Sequence, residues 1–426
     1  MEEIKTLAEF GVTKHEKVLD NGLQTIFIEK PFSPIYAKIV IGAGSVFNPS
    51  DNGLAHMAEH LLAGSKNTSK EEFHRIIESI GGFKNMFTSR EWASVNAEVA
   101  ETSQLPAVSK LFDEALASIY LTPEFLRKEK EVIFSEIQEV LNKNPYRNAS
   151  RQILRAFTQS SPWSYSNFGE VDQMMNLTTS DIEDFFSKYY VVENMLLVVA
   201  GGCKMSDIEE QFSKINFLHG TRAVLPESPK VVNNQRFFQA LDVSQTELSV
   251  GFKGPNPNTR ESHVLNFAMF FAHDGLASRF YRSIRGDKSL AYSLSGNMLV
   301  LNRTKYFGTV LSVPSAKIDE TIDTVLDCYQ NFASEGMTQK EIDGKNETAW
   351  FSVKRNMERS FDWVEKFDNF LFENESINTV FGEFPGVYNF RKSITVDEID
   401  AVLKKYITPE SFNLHVVGKE PSKKYF

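Results

Sequence analysis

The chain has 426 residues, 42% of them hydrophobic and 24% charged, with 23 Gly and 15 Pro; this is the composition of a folded protein and excludes collagenous, low-complexity and largely disordered classes. Lys and Arg number 46 against 56 Asp and Glu, and the net charge of −10 disfavours nucleic-acid backbones as partners. The length allows more than one hydrophobic core, and two cysteines, Cys203 and Cys328, are too few for a disulfide framework and read as buried small apolar residues in a reducing compartment.

The opening MEEIKTLAEFGVTK is acidic and has no apolar core, so it reads as neither a secretory signal nor a mitochondrial presequence. No apolar run approaches the ~18 residues of a membrane span, and the expected location is the cytoplasm, with no membrane partner. LQTIFIEK and YAKIVIGAGSVF read as strands, a helix begins near Asn52, TSREWASVNAEVA returns as a strand, and longer helical patterns fill 102–160. In the second half TELSVGFKG, a helix around Val264 to Phe271, and LAYSLSGNMLV repeat the strand, helix, strand order.

An internal repeat organises these elements. TTSDIEDFFSKYYVVENMLLVVAGG, from Thr178, returns 217 residues later as TVDEIDAVLKKYITPESFNLHVVGK, from Thr395. In both copies a Thr and acidic residues open a helix with apolar positions three and four apart, and a β-branched run ending in Gly follows as a strand. LTPEFLRKEKEVI, from Leu121, and MTQKEIDGKNETA, from Met337, are a second matching pair of helix starts. The expected fold class is α+β: two homologous domains, 1–220 and 237–426, each an antiparallel-rich sheet packed with helices, joined by a Gly-, Pro- and Asn-punctuated linker at 221–236.

The strongest chemical signal is GLAHMAEHLLAGSKN, an H-x-x-E-H arrangement of His56, Glu59 and His60 inside an apolar helical pattern. Imidazoles four residues apart project from one helix face about one turn apart, close enough to share a tetrahedral Zn²⁺. Glu59 approaches the same face, where it can take a proton from water that the metal has acidified. Imidazoles set among Leu54, Ala58, Leu61 and Leu62 need partners, and a metal supplies them. Two imidazoles and a carboxylate also accept Mn²⁺ or Co²⁺. A third protein ligand is expected from EFLRKEKEVIFSEIQEVLNKN, where Glu129 and Glu136 lie two turns apart beside an apolar stripe of Val132, Ile133 and Ile137, and Glu139 competes.

With these residues in place the chain resembles the pitrilysin/insulinase family of inverted-motif zinc peptidases, particularly its half-length bacterial members and the catalytic subunit of mitochondrial processing peptidase. The resemblance extends from the DNGL start at Asp20 through GLAHMAEHLL, GGFKNMFTSRE, EKEVIFSEI and YY…ENMLLVVAGG to IRGDKSLAYSL in the second half. It implies a clamshell around a peptide cavity, one Zn²⁺ per chain held by His56, His60 and Glu136, Glu59 as general base, and Glu129 as a supporting carboxylate behind a ligand. It also implies that the GGFKNMFTS segment is an edge strand that pairs with substrate, with Asn85, Met86 and Phe87 as contacts; Met86 stands where the family commonly has a small residue. Arg285 and Tyr292 fall at the family's Arg-and-Tyr positions, which hydrogen-bond the substrate near the scissile bond. The implied activity is endopeptidase cleavage of short or unfolded peptides by a homodimer, and the alternatives from other classes are a non-catalytic scaffold subunit and a peptide-binding protein with a structural zinc.

Overall fold

The computed structural model describes residues 11–63, 68–117, 119, 121–144, 146–292, 294–367 and 390–425. They form two compact units.

The first unit is built on a six-stranded sheet of β1 (Thr13–Val18), β2 (Gln24–Glu29), β3 (Ile35–Ile41), β4 (Phe83–Thr88), β5 (Ala93–Val99) and β6 (Met195–Gly201), in the order β1-β2-β6-β3-β5-β4. β2 and β6 run parallel and the other pairs antiparallel. Its helices are α1 (Leu54–Leu61), α2 (Lys70–Glu78), α3 (Leu105–Leu116), α4 (Pro123–Lys143), the short Val171–Met175 turn of helix, Thr179–Tyr189 and Met205–Phe212. They cover one face of the sheet over a core that includes Phe27, Ile39, Val95 and Leu197. The other face, with Ile26, Ile28, Tyr36, Val40 and Val198, is covered by Met357, Trp363 and Val364. Burial on both faces is why β6 reads as a continuous apolar run without alternation, and why β3 is apolar apart from Lys38, whose buried ammonium is paired with Glu365 at 2.9 Å.

The second unit has a five-stranded sheet of β7 (Arg236–Ala240), β8 (Gln245–Lys253), β9 (Leu294–Leu301), β10 (Thr304–Pro314) and β11 (Asn413–Gly418), ordered β7-β11-β8-β10-β9. β7 and β11 are parallel and the rest antiparallel, so the order and directions of β2-β6-β3-β5-β4 are reproduced strand for strand. Helices Arg260–His273, Ile318–Glu335 and Val396–Tyr406 pack on one face, and Arg147–Phe157 belongs to the same unit. Thr178 and Thr395, the paired repeat positions, each form a capping box, with Asp181 and Glu398 respectively.

The units do not divide the chain in two at one point. They part at Pro226 and Glu227, but Lys143–Ser164 groups with the second unit and 351–367 with the first. Each sheet has two faces to cover, and in the first unit the far face is closed by a segment from late in the chain; no local sequence pattern announces that. TSREWASVNAEVA, expected as one strand, divides: Thr88 ends β4 and β5 starts only at Ala93. Ser89–Trp92 form the hairpin turn, with Ser89 N–H donating to Trp92 O at 2.7 Å and Ser89 Oγ accepting from the backbone of Glu91 and Trp92. Cys203 and Cys328 are buried free thiols.

Candidate metal centre

Helix α1 is fixed at its start by side chains from the preceding loop. Asn52 Oδ1 accepts from Leu54 N at 3.1 Å and Asn48 Oδ1 from Ala55 N at 2.9 Å, satisfying donors that a helix start leaves open. Gly53 has φ 67°, and a Cβ there would sit 2.3 Å from Phe168 O, so glycine is required on both counts. Asp51 straps the 166–170 loop to this point, its carboxylate accepting from Ser166 N at 2.9 Å and its carbonyl from Glu170 N at 2.6 Å. The loop lays the Phe168 ring edge-on against His56, at 4.9 Å between centroids.

His56 and His60 lie one turn apart and meet edge to face, their ring centroids separated by 4.6 Å. Glu136 Oε2, from α4, lies 3.8 Å from His56 Nε2 and 3.4 Å from His60 Nε2. Two ligands bound tetrahedrally at zinc distances sit about 3.4 Å apart, so the three atoms are already close to a coordinating arrangement. His56, His60 and Glu136 are the one such cluster of ligand atoms among the described residues; Glu139 is exposed and takes no part.

The chemistry of these donors also fits a cation. His56 is buried, and burial together with neighbouring His60 pushes its pKa down to about 3, so at neutral pH the imidazole carries a free lone pair. Its Nδ1 has no hydrogen-bond partner among the described residues, so no contact there opposes ligation through Nε2. Glu129 is 3% exposed, with Oε2 3.4 Å from His60 Nδ1 and Oε1 accepting from Lys70 Nζ at 2.7 Å. Burial raises its carboxyl, but His60 and Lys70 outweigh that and hold it below the ordinary value. Glu129 therefore sits on the Nδ1 side of His60, away from Nε2, which is the place from which a carboxylate can orient a ligating imidazole. The helix carrying both glutamates is anchored by Leu126, Ile133 and Ile137; Val132, expected in that stripe, is 47% exposed, because the buried line runs 126, 129, 133, 137 and leaves 132 to one side.

Glu59 is held beside the cluster by a hydrogen bond from Thr88 Oγ1 to Oε2 at 2.6 Å. Burial raises its pKa despite that bond, which makes it a better proton acceptor near neutrality than a solvated carboxylate. Thr88 is the last residue of β4, the free edge of the sheet, and its carbonyl accepts from Asn167 Nδ2 at 2.6 Å. On that edge Asn85 and Phe87 are exposed, whereas Met86 points to the core side and is half-buried. In the second unit Arg285 Nη1 donates to Tyr292 O at 2.8 Å and the guanidinium lies 4.5 Å from the Tyr292 ring, with Tyr292 78% exposed.

Residues 28–169, which contain the whole cluster, match the family described as "Insulinase (Peptidase family M16)", and residues 176–347 match "Peptidase M16 inactive domain". The chain belongs to peptidase family M16. Among its M16 relatives, "Zinc protease PqqE" of Helicobacter pylori is 24% identical over 383 residues, 86% of each chain. "Uncharacterized zinc protease YmxG" of Bacillus subtilis is 24% identical over 357 residues, 79% of this chain and 83% of its own. A Pseudomonas fluorescens structure described as "peptidase M16 inactive domain" shares the fold, with a TM-score of 0.86 over 96% of this chain and 98% of that one at 17% identity.

Sequence reasoning about this M16 chain missed four supporting residues. Thr88 stands in the GGFKNMFTSRE segment but gives no sign that its hydroxyl meets Glu59. Lys70, Asn167 and Phe168 sit in unremarkable local sequence and become visible only when the fold brings them to Glu129, Thr88 and His56.

Proposed function

We propose that this M16 peptidase is a zinc-dependent endopeptidase acting on short or unfolded peptides. The observation that carries the reading is the convergence of His56, His60 and Glu136 within coordinating distance, with a separate buried carboxylate, Glu59, held beside them by Thr88. A binding-only metal site has no use for that second carboxylate, which argues for catalysis over a scaffold or a structural zinc.

When bound, a divalent cation at the three ligands supplies Lewis-acid polarisation of the peptide carbonyl and acidifies water. Glu59 accepts a proton from the attacking water and returns it to the departing amine. Glu129 and Lys70 keep His60 in its ligating orientation. The free edge of β4 offers main-chain donors and acceptors to an extended substrate, with Asn85, Met86 and Phe87 as its side-chain contacts. The half-buried Arg285 and the exposed Tyr292 form a donor pair suited to a substrate carbonyl. Homodimeric assembly and a cytoplasmic location complete the proposal; no helix among the described residues is long and apolar enough to cross a membrane.

The test is a pool of quenched peptides of about ten to thirty residues, long enough to pair with the β4 edge, incubated with the purified chain before and after chelation. Cleavage that disappears with chelator and returns with zinc supports the reading. A fully metallated chain that cleaves nothing contradicts it.

A further inference from the structure

The second unit's sheet carries an unusual polar row on the face opposite the one that packs Arg260–His273 and Ile318–Glu335. Glu247 and Ser249 alternate with the buried Leu248 and Val250 on β8, and His415 of β11 stands directly across from Ser249. Helix Arg147–Phe157 covers this row but does not fill it. A cavity of about 200 Å³ remains, walled by Phe157 and Tyr306, whose rings meet edge to face at 4.9 Å, with Asn297 of the exposed edge strand at its mouth. That is room for on the order of six water-sized groups.

Glu247 is the unexplained group in this cavity. It is partly buried, and among the described residues it has neither a hydrogen-bond donor nor a cationic side chain within ion-pair distance. Partial burial disfavours its charged form and pushes its pKa up, a cost that a bound cation would offset. The rest of the polar wall is neutral: Ser150, Ser249 and Asn297 offer oxygen acceptors, His415 is engaged through Nε2 with Gln235 Oε1, and the two aromatic rings add faces that attract a cation. One carboxylate, neutral oxygen acceptors and aromatic walls are complementary to a primary ammonium, with its three donors and no acceptor.

We propose that this cavity binds an alkylammonium group, with Glu247 as its counter-ion. The group comes either from a small free amine or from a lysine side chain on a bound peptide. The site lies wholly within the second unit and is independent of the metal centre.

The experiment titrates the full chain with n-butylamine, 1-butanol and the N-acetyl amide of lysine, followed by calorimetry or by NMR shifts. Butylammonium is expected to bind at least tenfold more tightly than the alcohol of equal size, and Glu247→Gln, which keeps the shape, removes that advantage. Ile153→Trp, on the covering helix, plugs the cavity and abolishes binding in a chain whose circular dichroism is unchanged; this arm stands if the first variant does not fold. Binding of the lysine derivative as well as butylamine identifies peptides as the source, and binding of butylamine alone identifies a free amine. Equal affinity for the alcohol and the amine, indifference to both substitutions, or no saturable binding of either amine overturns the proposal.

Discussion

Three histidines show how position and partners decide what one side chain does. His56 is buried with Nδ1 unpartnered among the described residues and Nε2 facing a carboxylate, which leaves a lone pair for a metal. His273, 217 residues later, is also buried, but both ring nitrogens are engaged, with Met269 O at 2.9 Å and Thr309 Oγ1 at 2.7 Å. Its role is structural. Burial lowers its pKa to about 4, so between the ordinary value of 6.5 and 4 the unfolded chain binds a proton that the folded chain refuses. Stability is therefore expected to fall as pH drops through that window, and thermal midpoints of His273→Gln will decline less steeply than those of the parent between pH 7 and 4.5. At His60 the supporting carboxylate is the testable part: Glu129→Gln is expected to weaken zinc binding roughly 10- to 100-fold in a chelator competition while leaving the fold intact. Thr88→Val removes the bond that aims Glu59, and kcat/KM is expected to drop about tenfold or more at unchanged zinc content. An unaltered kcat/KM would show that Glu59 is held by other contacts.

Elements with strong local signals were legible in the sequence. The capping boxes at Thr178 and Thr395, the β6 and β11 runs, and the helix bearing His56 and His60 each rest on neighbouring residues, and periodicity reports them directly. What escaped was set by packing at a distance. Neither the Ser89–Trp92 turn nor the exposed Val132 can be told from apolar content alone. The 351–367 segment is the largest case: Trp363, buried at 2% exposure, closes the far face of a sheet whose last strand ends at Gly201, more than 150 residues earlier. Trp363→Ala is expected to destabilise the first unit by about 3–5 kcal/mol in denaturant unfolding. A loss below about 1 kcal/mol would mean that the segment merely rests on the sheet.

For the molecule as a whole, duplication explains both the likeness and the asymmetry of the two units. The ladder Leu197–Ile39–Val95–Met86 in the first sheet matches Leu414–Val250–Thr309–Gly296 in the second, so Thr88, which holds Glu59, corresponds to Met298. With no hydroxyl there, His273 already satisfied and no cluster of metal-ligand atoms among its described residues, the second unit keeps the architecture without a metal centre of this kind. The repeat was readable because its last helix and strand retained their residues, whereas the exchange of covering segments leaves no trace in local pattern. Whether His56, His60 and Glu136 hold a catalytic metal beside Glu59 as base is decided by measuring zinc content and peptide cleavage together in the parent chain and in Glu59→Gln. One zinc per chain in both proteins and turnover in the parent alone are expected; cleavage by Glu59→Gln near the parent rate would rule out Glu59 as the base.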